Sequence, residues 1–180
     1  MMLKLPDVGE PRVEEQCYIA ENAAVIGNVR IGRRVFVAPG AVIRADEEGS
    51  AVVIGDECNV QDGVIIHSLA GSQVKIGRGS SLAHGSIVHG PCEVGEECFI
   101  GFRATVFKAK LGDGCVVMHG ALVVGVEIPA GRLVPGGEMV DSQEMVERLG
   151  PVPEELVAFR RTVKSTNVGL ISRYSMAERR

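Results

Sequence analysis

The chain has 180 residues, a formal net charge of −4 at pH 7, 23 glycines and no tryptophan. This mildly acidic balance favours neither nucleic acid nor an anionic membrane as a partner. The sequence has no apolar run near the ~20 residues of a membrane-spanning helix, and its first ten residues, MMLKLPDVGE, lack a signal-peptide core. We therefore expect one cytoplasmic domain over residues 1–180, with a continuous core.

Aliphatic residues recur every six positions through most of the chain. This period fits neither a 3.6-residue helix nor an alternating strand, but it is typical of a parallel β-helix in which each hexapeptide forms a short strand and a corner. Known hexapeptide β-helices are left-handed with three strands per coil, and by that resemblance we expect six coils over about residues 13–128. The ladder residues are Val13, Ile19, Val25, Ile31, Val37, Ile43, Ile54, Val60, Ile66, Ile76, Leu82, Val88, Val94, Ile100, Val106, Leu111, Val117 and Val123.

The six-residue register breaks at three places. Five extra residues follow Ile43, in the run 46–50, and four follow Ile66, around residues 70–73. One residue is missing between Val106 and Leu111. Because a corner can loop outward without disturbing the strands, we expect each break to advance the chain by a single face.

The five cysteines share one position in the repeat, four residues after a ladder residue. Elsewhere this position holds Ala, Ser or Val, which indicates a small, inward-pointing site. We interpret the thiols as small core residues rather than metal ligands, and an odd number of buried cysteines suits a reducing compartment. They are Cys17, Cys58, Cys92, Cys98 and Cys115.

The C-terminal part predicts two helices after a Pro/Gly-rich exit at residues 129–137. Asp141 fits an N-cap with Glu144 at the capping-box position of a short helix that ends near Gly150. A longer helix is predicted over about 153–176, and its apolar face must pack on the coils or on a neighbouring chain. That face consists of Leu156, Phe159, Val163, Leu170, Ile171 and Tyr174.

Two histidines fall at the same position on one face of successive coils. His67 follows Ile66 and His89 follows Val88, three repeats later. Neighbouring strands lie about 4.8 Å apart, so these imidazoles can converge on one metal ion. Arg44 holds the same column one coil earlier.

His84 lies at a different corner, two residues after Leu82, in one column with Asp62. It is too distant to join His67 and His89 within one protomer, but a threefold homotrimer would bring the two columns together. Three neutral imidazoles leave one open position on Zn²⁺, as in catalytic zinc sites. The alternative is that these histidines are ordinary surface residues. His119 shares the column of His84 two coils later, about 10 Å away, and is expected not to bind metal.

Four segments resemble the γ-class carbonic anhydrases of archaeal type. They are IRADE (43–47), NVQDGVIIHS (59–68), SLAHGSIVHGP (81–91) and FIGFRATVFKAKLGDGCVV (99–117). Residues 99–136 are also similar to the anhydrase-like domain of carboxysome assembly proteins. The resemblance implies a lyase that hydrates CO₂ to bicarbonate with a metal-bound hydroxide at the interfaces of a homotrimer.

The resemblance also implies roles for individual residues. The metal ligands would be His67, His84 and His89, contributed by two subunits. Zn²⁺ is the implied metal, although three imidazoles also suit Fe²⁺ or Co²⁺. The other implied roles are hydroxide orientation by Gln61, positions near the substrate pocket for Asn59 and Asn167, an intersubunit salt bridge between Arg44 and Asp62, and proton transfer by Glu47.

The sequence departs from the family pattern after His67. The archetype has a long acidic loop there, with a proton-shuttling glutamate, whereas this chain has SLAGSQVK with Ala70 near that position. Ser165 replaces a tyrosine two residues before Asn167. Two alternatives therefore stand beside the anhydrase: a non-catalytic scaffold or assembly protein stapled by metal, and a hexapeptide-type acyltransferase or thioesterase acting on coenzyme A derivatives.

Overall fold

The computed structural model describes residues 1–177. Within that range, 22 short strands coil into a parallel β-helix of about seven turns with three sheets, followed by one short and one long helix. Each coil adds one strand to each sheet in turn, and each strand pairs with the strand three places later in the chain. The six-residue period therefore forms the architecture expected from sequence.

The three sheets are named A, B and C. Sheet A comprises β1 (Met2–Leu3), β4 (Ala24–Gly27), β7 (Val42–Ala45), β10 (Ile65–His67), β13 (Ile87–His89), β16 (Thr105–Phe107), β19 (Leu122–Val124) and β22 (Met139–Val140). Sheet B comprises β2 (Arg12–Val13), β5 (Val29–Ile31), β8 (Ala51–Ile54), β11 (Gln73–Ile76), β14 (Cys92–Val94), β17 (Lys110–Leu111) and β20 (Glu127–Ile128). Sheet C comprises β3 (Tyr18–Ile19), β6 (Phe36–Val37), β9 (Asn59–Val60), β12 (Ser81–Leu82), β15 (Phe99–Ile100), β18 (Val116–Val117) and β21 (Leu133–Val134).

The core is a stack of ladder residues with small residues at the corners between them. Ile43, Ile66 and Val88 pack directly above one another and are fully buried. Four of the five cysteines are buried and Cys17 is half-buried, all as free thiols. Burial raises the pKa of Cys58 and of Cys98 to about 12. These thiols stay protonated at neutral pH and act as small core residues.

All three register breaks fall at the corner from sheet A to sheet B. The chain passes from β7 to β8, from β10 to β11 and from β16 to β17 at these points. Each break thus advances the chain by one face, as expected. The first two corners lie in successive coils and stack, since the Gly71 N–H donates to the Glu48 carbonyl at 2.9 Å.

The coils extend beyond the expected range of 13–128. β1 precedes that range, and the segment expected to be an exit contributes β21 to sheet C before β22 closes the last coil. The physical reason is visible in the sequence: Ile128, Val134 and Val140 continue the six-residue period after one missing residue, and all three are buried. The ladder therefore continues to Val140.

The short helix α1 spans Gln143–Glu147 and differs from the sequence prediction at its start. Its N-cap is Ser142 rather than Asp141, and Ser142 makes no side-chain capping hydrogen bond. Glu144 pairs with Arg148 one turn later instead of closing a capping box. The helix is held by its apolar side, where Val146 is buried in the core.

The long helix α2 spans Glu154–Ala177 and packs on the outer face of sheet C of its own chain, where it contacts β3, β6, β9 and β12. Leu156 and Val163 pack over a buried cluster that contains Phe99. The Tyr174 ring lies 5.0 Å from that of Tyr18, and Lys164 pairs with Glu97 at 2.5 Å. The sequence predicted that the apolar face of this helix packs on the coils or on a neighbouring chain. In the structure it packs on the coils. No helix of residues 1–177 combines the length and apolarity needed to cross a membrane.

The outer face of sheet A also carries a column of mostly apolar residues, but the two helices pack elsewhere, on sheet C and β20. One outward column runs through the strands in register, and its members Ile65 and Met139 are 39% and 49% exposed. We call this surface the open face. Its column consists of Ala24, Val42, Ile65, Ile87, Thr105, Leu122 and Met139.

Candidate metal centre

Two histidines meet on the open face. His67 and His89 are partners in the register of β10 and β13, and Arg44 precedes them in the same column on β7. His67 Nδ1 lies 3.0 Å from His89 Nε2, and the ring centroids are 4.8 Å apart. The column therefore has the arrangement that the repeat positions predict, with His67 almost fully buried and His89 half-buried.

The surroundings of His89 favour its neutral imidazole. Burial lowers the pKa of His89 below its ordinary value of 6.5, and the neighbouring His67 lowers it further. A histidine must be neutral to donate a nitrogen lone pair to a metal. Nitrogen ligands at ~2.0–2.1 Å from a tetrahedral metal lie about 3.3 Å from one another. The facing nitrogens of His67 and His89 thus fit two positions of such a site.

Two carboxylates flank the other side of His67, in the corner after β7. His67 Nε2 lies 3.2 Å from Asp46 Oδ1 and 3.3 Å from Glu47 Oε1. Arg44 donates to Asp46 Oδ2 at 2.6 Å, and the Ala70 N–H donates to Glu47 Oε2 at 2.8 Å. Burial alone would raise the pKa of Asp46, but the hydrogen bond and charge of Arg44 outweigh burial and hold that pKa below 3.8.

The sequence reasoning missed Asp46. A signal was available, because Asp46 follows Arg44 by two residues and opens the five-residue insertion at this corner. It was overlooked because only the position of Glu47 had a role implied by resemblance. The structure brings both carboxylates to His67.

His84 and Asp62 lie at a different corner, after strands of sheet C. His84 Nδ1 lies 2.9 Å from Asp62 Oδ2, and each side chain is 56% exposed. With the carboxylate accepting from Nδ1–H, the lone pair of His84 Nε2 is available for a metal, which is how ligating histidines are usually oriented. Within one protomer the three imidazoles do not gather: the one group of three potential ligands found among residues 1–177 is Asp46, Glu47 and His67.

Gln61 and Asn59 form a buried polar network on sheet C. Gln61 Nε2 donates to Asn59 Oδ1 at 3.0 Å, and Asn59 Nδ2 donates to Ser81 Oγ at 2.6 Å. All three side chains are at most 4% exposed. The network fixes the orientation of the Gln61 amide, whose oxygen is an additional acceptor. Asn167, on α2, donates to the Val163 carbonyl of its own helix at 2.9 Å.

The partners of Arg44 and Asp62 within the protomer are Asp46 and His84, respectively. The salt bridge between Arg44 and Asp62 of neighbouring subunits therefore stays a prediction. His119 Nδ1 accepts a hydrogen bond from the Phe102 N–H at 2.9 Å. A neutral imidazole that accepts at Nδ1 carries its proton on Nε2, which agrees with a non-ligating role for His119.

Comparisons with known proteins show what this chain is similar to. Residues 10–45 match the family model described as bacterial transferase hexapeptide (six repeats). The chain is 42% identical over 146 residues to a carbonic anhydrase of Methanosarcina thermophila, covering 71% of this chain and 59% of that protein. It is 39% identical over 180 residues to the carboxysome assembly protein CcmM of Nostoc sp., covering 94% of this chain and 32% of that protein.

Among solved structures, a putative acetyltransferase of Bacillus cereus superposes with a TM-score of 0.84, covering 98% of this chain and 97% of that one. At 21% identity this likeness shows the fold alone. The repeat match and the coils define a hexapeptide-repeat β-helix protein. The sequence similarities support a relationship to the γ-carbonic anhydrase-like family, and the anhydrase homologues imply a metal cofactor. It spans 59% and 32% of the two curated relatives named above.

Proposed function

We propose that the protein is a γ-class carbonic anhydrase that hydrates CO₂ to bicarbonate at a metal held between the subunits of a cytoplasmic homotrimer. The ligands would be His67 and His89 of one subunit and His84 of a neighbour. The observation that carries this proposal is the facing pair His67 and His89, whose nearest nitrogens are 3.0 Å apart; His84, exposed at a different corner and oriented by Asp62, is available to a neighbouring subunit. Zn²⁺ is the proposed metal, with Fe²⁺ or Co²⁺ as substitutes.

The open face supports association of identical chains. An apolar sheet surface of this extent costs free energy in water, and burial against other copies recovers about 25 cal/mol for each Å². The histidine pair lies on this face, whereas His84 and Asp62 lie at the corner between sheets C and A. Threefold packing of this corner against the open face would complete the ligand set and bring Arg44 near Asp62, each contact being repeated by symmetry.

Other residues of the chain would orient the attacking oxygen and border the substrate pocket. His67, His89 and a neighbour's His84 would hold a divalent metal, which would supply Lewis acidity and hydroxide near pH 7. Gln61, fixed through Asn59 and Ser81, would accept a hydrogen bond from the attacking oxygen and orient its lone pair toward CO₂. Asn167 and Asn59 would border the substrate pocket.

Glu47 is the proposed first acceptor of the proton released in each turnover. Its Oε1 lies 3.3 Å from His67, and its Oε2 is held by the Ala70 backbone. The short loop around Ala70 offers this backbone N–H where the archetype carries an acidic side chain. Proton exit beyond Glu47 therefore depends on solvent and buffer, and we expect it to limit the turnover rate while leaving CO₂ hydration intact.

The test removes one ligand and follows metal and assembly separately. In His89→Ala, bound metal should be lost while the trimer stays largely intact, because His89 is one of many contacts on the open face. Metal analysis after gel filtration, light scattering and stopped-flow CO₂ hydration measure the three properties. His119→Ala is the matched control and should keep metal. Full metal stoichiometry in His89→Ala would refute the ligand assignment.

A second candidate is a non-catalytic scaffold in which the metal only staples the chains. The shortened loop at Ala70 and the similarity to CcmM over 94% of this chain favour it. The discriminating experiment assays CO₂ hydration after reconstitution with Zn²⁺, Co²⁺ and, anaerobically, Fe²⁺. A metal-loaded trimer without activity in all three preparations would establish the scaffold.

A further inference from the structure

The corner after β7 contains three potential metal ligands with unused lone pairs or protons. Among residues 1–177, the buried atoms without a hydrogen-bond partner include both Asp46 Oδ1 and His67 Nε2. They are 3.2 Å apart but poorly aligned for a hydrogen bond to one another. Glu47 Oε1 lies 3.3 Å from the same nitrogen. Unpaired buried polar atoms are costly, so two of them facing one point indicate a missing occupant.

The remaining atoms of this cluster are already held in place. Arg44 fixes Asp46 through Oδ2, and the Ala70 N–H fixes Glu47 through Oε2. The Ser50 hydroxyl donates to the Glu47 carbonyl at 2.6 Å and accepts from the Glu47 N–H at 3.2 Å. Each carboxylate is therefore oriented by one oxygen while the other oxygen faces His67. Such support from surrounding groups is what metal ligands normally have.

The charges also favour a cation. Two carboxylates and Arg44 leave one net negative charge beside His67, which is almost fully buried. Asp46 Oδ1 and Glu47 Oε1 lie 3.2 and 3.3 Å from His67 Nε2, separations that one ion at about 2.0–2.2 Å from each atom can bridge. A donor set of one imidazole and two carboxylates suits Mn²⁺, Fe²⁺ or Zn²⁺ better than soft metals.

We propose that Asp46, Glu47 and His67 form a divalent-cation site that is complete within one protomer. It uses His67 Nε2, whereas the nitrogen that faces His89 is Nδ1. A neutral imidazole has one nitrogen lone pair, so His67 can serve one cation at a time. If the proposed function holds, the carboxylate site therefore competes with the three-imidazole site and can hold the metal before the neighbouring subunit supplies His84.

The experiment measures cation binding where the three-imidazole site cannot form. In the double variant His84→Ala/His89→Ala, free Mn²⁺ is followed by electron paramagnetic resonance during titration with MnCl₂. We expect about one Mn²⁺ per chain during the titration, held weakly enough to be lost on gel filtration, so that the loss of metal expected in purified His89→Ala still holds. Adding Asp46→Asn or Glu47→Gln should weaken binding at least about tenfold, because even loss of a supporting partner costs 10- to 100-fold in metal affinity.

Glu48→Gln is the matched control, since Glu48 is an exposed carboxylate in the same corner. It should leave the Mn²⁺ affinity within about twofold. Equal binding by the Asp46→Asn and Glu48→Gln proteins would overturn the proposal, as would no binding in the double variant at millimolar Mn²⁺, which would indicate only an ion pair of His67 with the carboxylates.

If the double variant does not fold, the titration is carried out in His84→Ala, which changes only an exposed side chain. Adding Asp46→Asn, Glu47→Gln or Glu48→Gln to it should give the same order of Mn²⁺ affinities. Because no step measures CO₂ hydration, an inactive enzyme leaves the test unaffected.

Discussion

Sheets A and C both carry apolar residues on their outer faces, but α2 covers only sheet C. On sheet C, Tyr18, Phe36 and Phe99 are buried beneath α2. On sheet A, Ile65 and Met139 remain exposed. The comparison teaches that the chain covers one face with its own helix and leaves the other uncovered among residues 1–177, and the proposed function would cover it with identical copies.

The same contrast holds for the polar residues beside the two faces. The side chain of His67 is 6% exposed on the open face, whereas that of His84 is 56% exposed at the corner after sheet C. Gln61 belongs to the second region and Glu47 to the first. Each protomer thus carries two separate halves of the proposed site, and assembly would join the halves of different chains.

The largest expected effect comes from a charge on the open face. Ile65→Asp should convert the trimer to monomers and abolish metal retention and CO₂ hydration, because an unpaired charge buried at an interface costs at least about 3 kcal/mol. Sedimentation velocity measures the assembly. Val53→Asp is the control: it changes an outward position of sheet B between Arg30 and Lys75 in the register and should leave the trimer intact. A trimeric Ile65→Asp protein would contradict this role of the open face.

A smaller effect is expected from the buried network on sheet C. Gln61→Ala should lower kcat about 10- to 100-fold, somewhat less than the loss of one oxyanion-hole donor, because the attacking oxygen loses its orientation. Metal content and oligomeric state should not change, since Gln61 is not a proposed ligand. Stopped-flow kinetics and metal analysis test both statements, with the exposed Gln73→Ala as control. Loss of metal in step with activity would assign Gln61 to ligation instead.

The smallest effect concerns the pH dependence of the metal-free protein. The pKa of His89 is below 6.5 in the folded chain, chiefly through burial. Between that lowered pKa and 6.5 the unfolded chain binds more protons, so the free energy of unfolding should rise with pH there and fall as the pH decreases. Denaturant unfolding at several pH values measures this slope, which should be shallower in His89→Gln. Identical slopes in the two proteins would contradict the assignment.

Much of this architecture could be predicted from the period alone. Because inward aliphatic residues must stack coil upon coil, the ladder also fixed the column of Arg44, His67 and His89. The predicted ladder ended too early because the interval from Val123 to Ile128 is five residues instead of six. Asp141 failed as an N-cap because packing of Val146 on the coils, rather than capping chemistry, holds the short helix.

The sequence by itself determined which residues point inward, which share a column and which surfaces are apolar, since a six-residue repeat leaves no freedom in these assignments. Only the tertiary structure decided that α2 covers sheet C, that the corner loops stack, and that Asp46 and Glu47 turn toward His67. The physical reason is that an apolar surface favours burial, but its composition does not specify which other surface will cover it. The direction of a carboxylate depends on hydrogen bonds from Arg44 and Ala70, which only the folded corner brings within reach.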